Sequence, residues 1–173
     1  DLILGPVAPT SAPRLHDDSM TPLQTYLADI YTIPANLAGL PGISIPCPVA
    51  EGAHPVGIQL LAPHFAETRL LQAAAALVTS LQAEAESRGL HVDALGVGSA
   101  GVIDSARGVV LSATDSIRGW AGTALAAELA ARTGLPTTAL NDVHAHALGE
   151  SWLGAGAGVP SVLFMGMGTG VGG

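Results

Sequence analysis

From residue 66 to residue 88 the chain carries neither glycine nor proline, although these two residue types number 22 and 12 over its 173 residues. Along this stretch Leu70, Ala74, Leu77 and Leu81 recur at helical spacing. The pattern predicts one long amphipathic helix, which Gly89 is placed to end. A helix of this length must find an apolar surface to cover, so it constrains whatever precedes and follows it. The two flanks differ in character.

Ahead of the helix the signals are short. Leu2, Ile3 and Leu4 read as a buried strand closed by Gly5 and Pro6, and residues 14–19 read as a surface loop. Residues 22–31 carry Leu23, Tyr26, Leu27 and Ile30 at helical spacing, with Pro22 suited to a first turn. Pro34, Gly39, Pro41 and Gly42 are expected to break the chain, and residues 43–45 and 56–61 read as strands joined by a turn at 51–55. Behind the helix an α/β alternation sets in. Strands are expected over 92–97, 108–112, 137–140 and 162–167, and helices over 125–133 and 143–152. Residues 98–101 are expected to form a tight loop, Thr123 to cap the helix at 125, and Gly134 to end it.

Charge and composition exclude several function classes. Hydrophobic residues make up 49% and charged ones 12% of the chain, a globular balance. The net charge of −8 comes from 14 acidic against 6 basic residues, all of the latter arginine, so direct nucleic-acid binding is not expected. Cys47 stands alone, which excludes an internal disulfide. No basic segment opens the chain as a signal peptide would. The uncharged run at 151–173 is interrupted by glycines and Pro160, unlike a membrane helix. A cytoplasmic location is expected. The chain opens on Asp1 and closes within a glycine-rich motif, so it is expected to be cut at both ends.

One run of residues is specific. Ala8-Pro9-Thr10-Ser11-Ala12, the long segment from Tyr26 through Ile33-Pro34-Ala35-Asn36 to Gly42, then Ile45-Pro46-Cys47, Pro55-Val56-Gly57-Ile58-Gln59-Leu60 and His64-Phe65 follow in order. Residues 1–77 thereby resemble the C-terminal part of the A subunit of glutamine-dependent aspartyl/glutamyl-tRNA amidotransferases, of the amidase signature family. Pro48 departs from the glycine expected after Cys47. The resemblance implies glutamine hydrolysis by a Ser–Ser–Lys arrangement, the parent's partners being tRNA and an amidotransferase B subunit. A lysine is needed to relay the proton that frees the serine; the chain has none, and the Gly/Ser-rich stretch that carries the serines is missing. No amide hydrolysis is therefore expected. Asp29 is the position to which the resemblance assigns a contact with the amino group of glutamine; an ordinary helix-surface aspartate is the plainer reading. Cys47 reads as a small buried residue rather than a nucleophile, with no base beside it in sequence.

A second set of segments follows the long helix: Ala94-Leu95-Gly96-Val97-Gly98-Ser99-Ala100-Gly101-Val102-Ile103-Asp104, Gly119-Trp120-Ala121-Gly122, Asn141-Asp142-Val143, Ala147-Leu148-Gly149-Glu150 and Gly168-Thr169-Gly170-Val171-Gly172-Gly173. In this order they resemble the ROK family (repressors, open reading frames, kinases), over residues 81–173. Read on residues alone, Asn141 or Asp142 would be a helix N-cap. The resemblance implies instead that Asp142 is the general base of a sugar kinase, Asn141 and Gly101 sugar-binding residues, and Gly168, Thr169, Gly170 and Gly172 phosphate-binding residues. It implies a hexose-type sugar and ATP with Mg as ligands. Transfer to a hydroxyl needs such a carboxylate and a cradle of backbone N–H groups. The first phosphate loop (Asp-x-Gly-Gly-Thr), the Glu-x-Gly-His clamp and the zinc site of the family are not found in these residues. Ala100 replaces a usual proline and Ser116 an expected asparagine. His144 and His146 lie about 200° apart on a helix and read as non-ligands, so no metal site is expected.

The fold class expected is α/β: a partial amidase-signature segment over 1–77, a helical junction over 78–90, and a partial actin-like ATPase (ribonuclease H-like) segment over 91–173. The parent activities are sugar phosphorylation and transamidation of misacylated tRNA, both expected to be inactive in so partial a set of residues. A sugar-responsive regulator of the same family, or a gene fusion without function, are the alternatives.

Overall fold

The computed structural model describes residues 1–14, 19–50, 52–113, 119–167 and 171–172. The chain forms two compact units, Asp1–Val92 and Asp93–Gly173. Among the described residues no helix is long and apolar enough to cross a membrane.

The first unit holds β1 (Ile3–Pro6), α1 (Pro22–Leu27), α2 (Ile33–Ala38), β2 (Gly42–Pro46), β3 (Gly57–Leu61) and α3 (Glu67–Ser87). Its antiparallel sheet has the order β1-β3-β2, with Leu60 opposite Leu4 on one side and Ile43 on the other. Successive side chains of a strand point to opposite faces. Ile58 and Leu60 accordingly join Ile45, Ala62, Leu70 and Ala74 in a core covered by α3, with Leu77 and Leu81 packed against it. Gln59 points the other way and donates its amide to the carbonyls of Pro6 and Tyr31, tying the sheet to the turn after α1. The end of α3 follows from Gly89, whose φ of 72° lets the N–H of Leu90 reach back to the carbonyl of Ala85 at 2.9 Å.

Three expectations ahead of α3 need correction. β1, read as a buried strand, lies at the sheet edge with Ile3 63% and Leu4 64% exposed. The helix expected over 22–31 stops at Leu27, and a second helix begins at Ile33 with Pro34 in its first turn, where a break was expected. In the first turn of a helix the missing proline N–H has no partner to lose, so Pro34 fits α2 there. Thr21 caps α1 in a reciprocal box with Gln24, at 3.2 Å to the Gln24 N–H and 2.8 Å in return. The turn expected at 51–55 and the loop at 14–19 lie in part outside the described residues.

The second unit holds β4 (Leu95–Ser99), β5 (Val102–Asp104), β6 (Val109–Ser112), α4 (Leu125–Thr133), β7 (Thr137–Asn141), α5 (Asp142–Leu153), β8 (Gly166–Met167) and β9 (Val171–Gly172). β4 and β7 run parallel in a register that sets Ser99 beside Asn141, while β5 and β6 form an antiparallel hairpin. Parallel neighbours need a long crossover, which here carries the hairpin and α4. Val110, Leu125, Leu129 and Ala139 are buried in its core. Gly108 takes φ 64°, and a Cβ there would fall against Ala126 of α4, so only glycine allows this approach.

Here too the strands differ from expectation. β4 starts at Leu95, where its N–H meets the carbonyl of Pro136, and runs on through Ser99 into the expected loop. β5 is an additional strand that the sequence pattern does not announce. Thr123 does not cap α4: the N-cap is Ala124, with no side-chain bond, and the carbonyl of Thr123 instead accepts from the N–H of Val110. Residues 162–165 form no strand; Leu163 is 91% exposed, and an apolar run becomes a strand only where a neighbour takes its backbone bonds.

Candidate functional site

The carboxyl ends of β4 and β7 bring together most of the described residues singled out in the second unit. In parallel α/β sheets ligands collect at such strand ends, where loops and helix N-termini open. β7 ends on Asn141, and α5 starts at once on Asp142. Asn141 keeps extended backbone, and its Oδ1 accepts from the N–H groups of Val143 at 3.0 Å and His144 at 3.3 Å. Its Nδ2 donates to the carbonyl of Gly101 at 2.9 Å. One side chain thus caps a helix and pins the loop that follows β4. A single amide hydrogen remains for any ligand.

Gly101 stands where it must. Its φ is 101°, and a Cβ would fall against the main-chain oxygen of Ser112 at the end of β6. Glycine is the residue that tolerates both. The family resemblance gives it a sugar contact; in the structure its carbonyl is the acceptor for Asn141 and its backbone abuts the β5–β6 hairpin. Asp142 is exposed, and its Oδ1 accepts from the N–H of Val143 at 2.9 Å. Gly98 lies under Asp142, at a distance where an added Cβ would make ordinary contact at 3.6 Å.

One pair is not signalled by the sequence. Ser99, 8% exposed, accepts from the indole Nε1 of Trp120 at 3.2 Å and donates to the carbonyl of Ala100 at 3.1 Å. In sequence Trp120 is only one residue of a motif. A half-buried indole needs an acceptor, and Ser99 at a strand end is the available signal. Gly168, Thr169 and Gly170 lie outside the described residues, as does Ser116; Gly172 sits in β9, paired with Gly166.

In the first unit Asp29 lies in the turn between α1 and α2, not on a helix as its plainer reading had it, and is exposed. Its carbonyl accepts from Thr32 N–H and Ile33 N–H, both at 3.0 Å, so its backbone closes that turn. Cys47 is half-buried rather than buried as expected, and its N–H donates to the carbonyl of Val56 at 2.8 Å. Among the described residues no group of three or more His, Cys, Asp or Glu side chains could hold a metal ion.

Comparison with known proteins divides the chain along similar lines. The sequence model of the ROK family matches residues 61–173, and that of the amidase family residues 1–71. The A subunit of the glutamyl-tRNA(Gln) amidotransferase of Akkermansia muciniphila is 55% identical over 80 residues, 44% of this chain and 17% of that protein. Its counterpart in Cupriavidus taiwanensis is 57% identical over 74 residues, 43% of this chain and 15% of that protein. The chain therefore spans about a sixth of the length of these relatives. Among solved structures, the inorganic polyphosphate/ATP-glucomannokinase of Arthrobacter sp. strain KM superposes with a TM-score of 0.55 at 30% identity, over 76% of this chain and 52% of its own. A ROK family glucokinase from Streptomyces griseus, solved with glucose and AMPPNP, gives 0.54 at 32%, over 78% of this chain and 40% of its own. Fold and segments agree: an α/β chain with an amidase-like amino-terminal segment and a ROK kinase-like remainder. Since the ROK match extends over well more than half its length, the chain belongs to the ROK family.

Proposed function

We propose that the second unit descends from an ATP-dependent hexose kinase and that these residues, by themselves, phosphorylate no sugar and hydrolyse no glutamine. The observation that carries the reading is the Asn141–Gly101 bond. It supports the reading by joining two of the proposed sugar-binding residues at one strand-end corner, where Asn141 keeps one hydrogen and Asp142 one oxygen outside these bonds. In this reading Asp142 accepts the proton of the attacking sugar hydroxyl, and the remaining Nδ2 hydrogen of Asn141 with the loop at Gly101 orients the sugar. Gly168, Thr169, Gly170 and Gly172 would hold phosphate oxygens through backbone N–H groups. ATP with Mg would supply the phosphoryl group. The glucose and AMPPNP of the Streptomyces griseus enzyme support this choice of ligand class. The described residues form no phosphate cradle that can be tested for fit, so no step is derived through the nucleotide.

Inactivity follows from positioning. Holding reactants in place is worth up to about 7–11 kcal/mol of a barrier, and one carboxylate with one amide hydrogen supplies little of it. For the first unit the argument is simpler. A Ser–Ser–Lys relay needs a lysine, and there is none; the parent's tRNA and B subunit belong to the whole amidotransferase, not to Asp29 alone. The test is a coupled phosphorylation assay with ATP, Mg and a panel of hexoses and amino-hexoses. No turnover above background is expected. ATP-dependent turnover that vanishes in Asp142→Asn would overturn the proposal.

A further inference from the structure

α3 is a single helix, but its residues are matched unequally. Residues 67–71 fall within both family matches, whereas residues 72–87 fall within the ROK match alone. The later residues nevertheless stay on the amidase-like sheet. Leu77 and Leu81 pack against the cluster of Ile45, Leu60 and Leu70. Two turns further on, Arg88 Nη1 donates to the carbonyl of Val49 at 3.1 Å, and its Nε donates to Glu84 Oε1 at 2.8 Å. Leu77, Leu81 and Glu84 also line a cavity of about 260 Å³ together with Ile45, Cys47 and Ile58.

We infer that residues 78–88 form an interaction surface whose partner is the amidase-like strand β2 and the 47–50 segment that follows it in the same chain. Two physical features carry this. The apolar stripe keeps its 3.6-residue period across the point where the family matches part, so Leu81 falls on the face that Leu70 and Ala74 began. Beyond the stripe, the Glu84–Arg88 pair stands at i, i+4 and holds the guanidinium fork toward a main-chain carbonyl that lies outside any sheet pairing. A helix merely running past would supply the first feature by chance, but not both on one face. The ROK-matched half of the helix thus closes an amidase-like unit, which makes residues 1–92 the folding unit and leaves no seam at the join.

Cys47 is the chain's one thiol and lies in the wall of that cavity, so it reports on the closure directly. The experiment is the rate of thiol labelling by an aromatic disulfide reagent, on the whole chain under native conditions. Arg88 does not line the cavity. Arg88→Ala is nevertheless expected to speed labelling about fivefold, because the 47–50 segment loses its anchor and opens more often. Arg88→Lys should recover part of the protection, and Leu81→Asp should speed labelling more than about tenfold. Leu129→Ala, in the core of the second unit, should leave the rate unchanged. Wild-type labelling rates in Arg88→Ala, or an equal acceleration by Leu129→Ala, would overturn the inference.

Discussion

Replacing Asn141 separates its structural part from any part in sugar binding. Asn141→Ala removes an N-cap that serves two N–H groups of α5 and a bond to the carbonyl of Gly101. Loss of a cap costs about 1 kcal/mol, and loss of one partly buried hydrogen bond about another. The sum is about 2 kcal/mol. In a unit of this size that lowers the melting temperature by about 8–16 °C. Asn141→Asp keeps an oxygen to cap α5 but has no N–H for Gly101, so it should lose about half as much. Both tryptophans, Trp120 and Trp152, lie in the second unit, so a thermal melt followed by tryptophan fluorescence reads that unit and not the first. An Asn141→Ala melt within about 2 °C of wild type would refute the structural assignment. Equal losses in the two variants would refute the cap.

Gly101→Ala combines a positive φ with a clash against the main-chain oxygen of Ser112, so it should cost about 2–4 kcal/mol; the urea midpoint of the second unit measures it, and an unchanged midpoint would show that the β5–β6 hairpin yields freely. Leu129→Ala empties a site 2% exposed and should cost about 2–5 kcal/mol in the same measurement. Leu148→Ala on the open face of α5 should stay within about 0.5 kcal/mol of wild type.

Periodicity and punctuation make the larger elements legible. α3 lies within a residue of its expected bounds because nothing interrupts its stripe and Gly89 supplies the left-handed stop. α5 also lies within a residue of its expected bounds, although Gly149 interrupts it and Gly154 ends it in an extended conformation; Asn141 reads as a cap from its place before an apolar run and as a ligand contact from the family resemblance, and the structure gives it the cap. What escapes is decided by partners far along the chain. β5 has only three residues, and its identity comes from β6 across a bulge. Residues 162–165 have the composition of a strand but no strand to receive them. Thr123 looks like a cap, yet its carbonyl is taken by Val110 from another element. The Ser99–Trp120 bond spans residues that no local rule connects. At the site, therefore, the residue types are legible and their mutual bonds are not.

The strand order of the first unit has a bearing on synthesis. β1 and β2 are not paired with each other; among the described residues each is paired with β3. A nascent chain leaving the ribosome carries both outer strands with their backbone groups unmet until residues 57–61 emerge between them. Sheet formation waits on the last strand made, and the covering helix comes later still. During that interval Ile43 and Ile45, which the finished core takes up, are open to other chains, so this stretch of translation is where a holding chaperone would act.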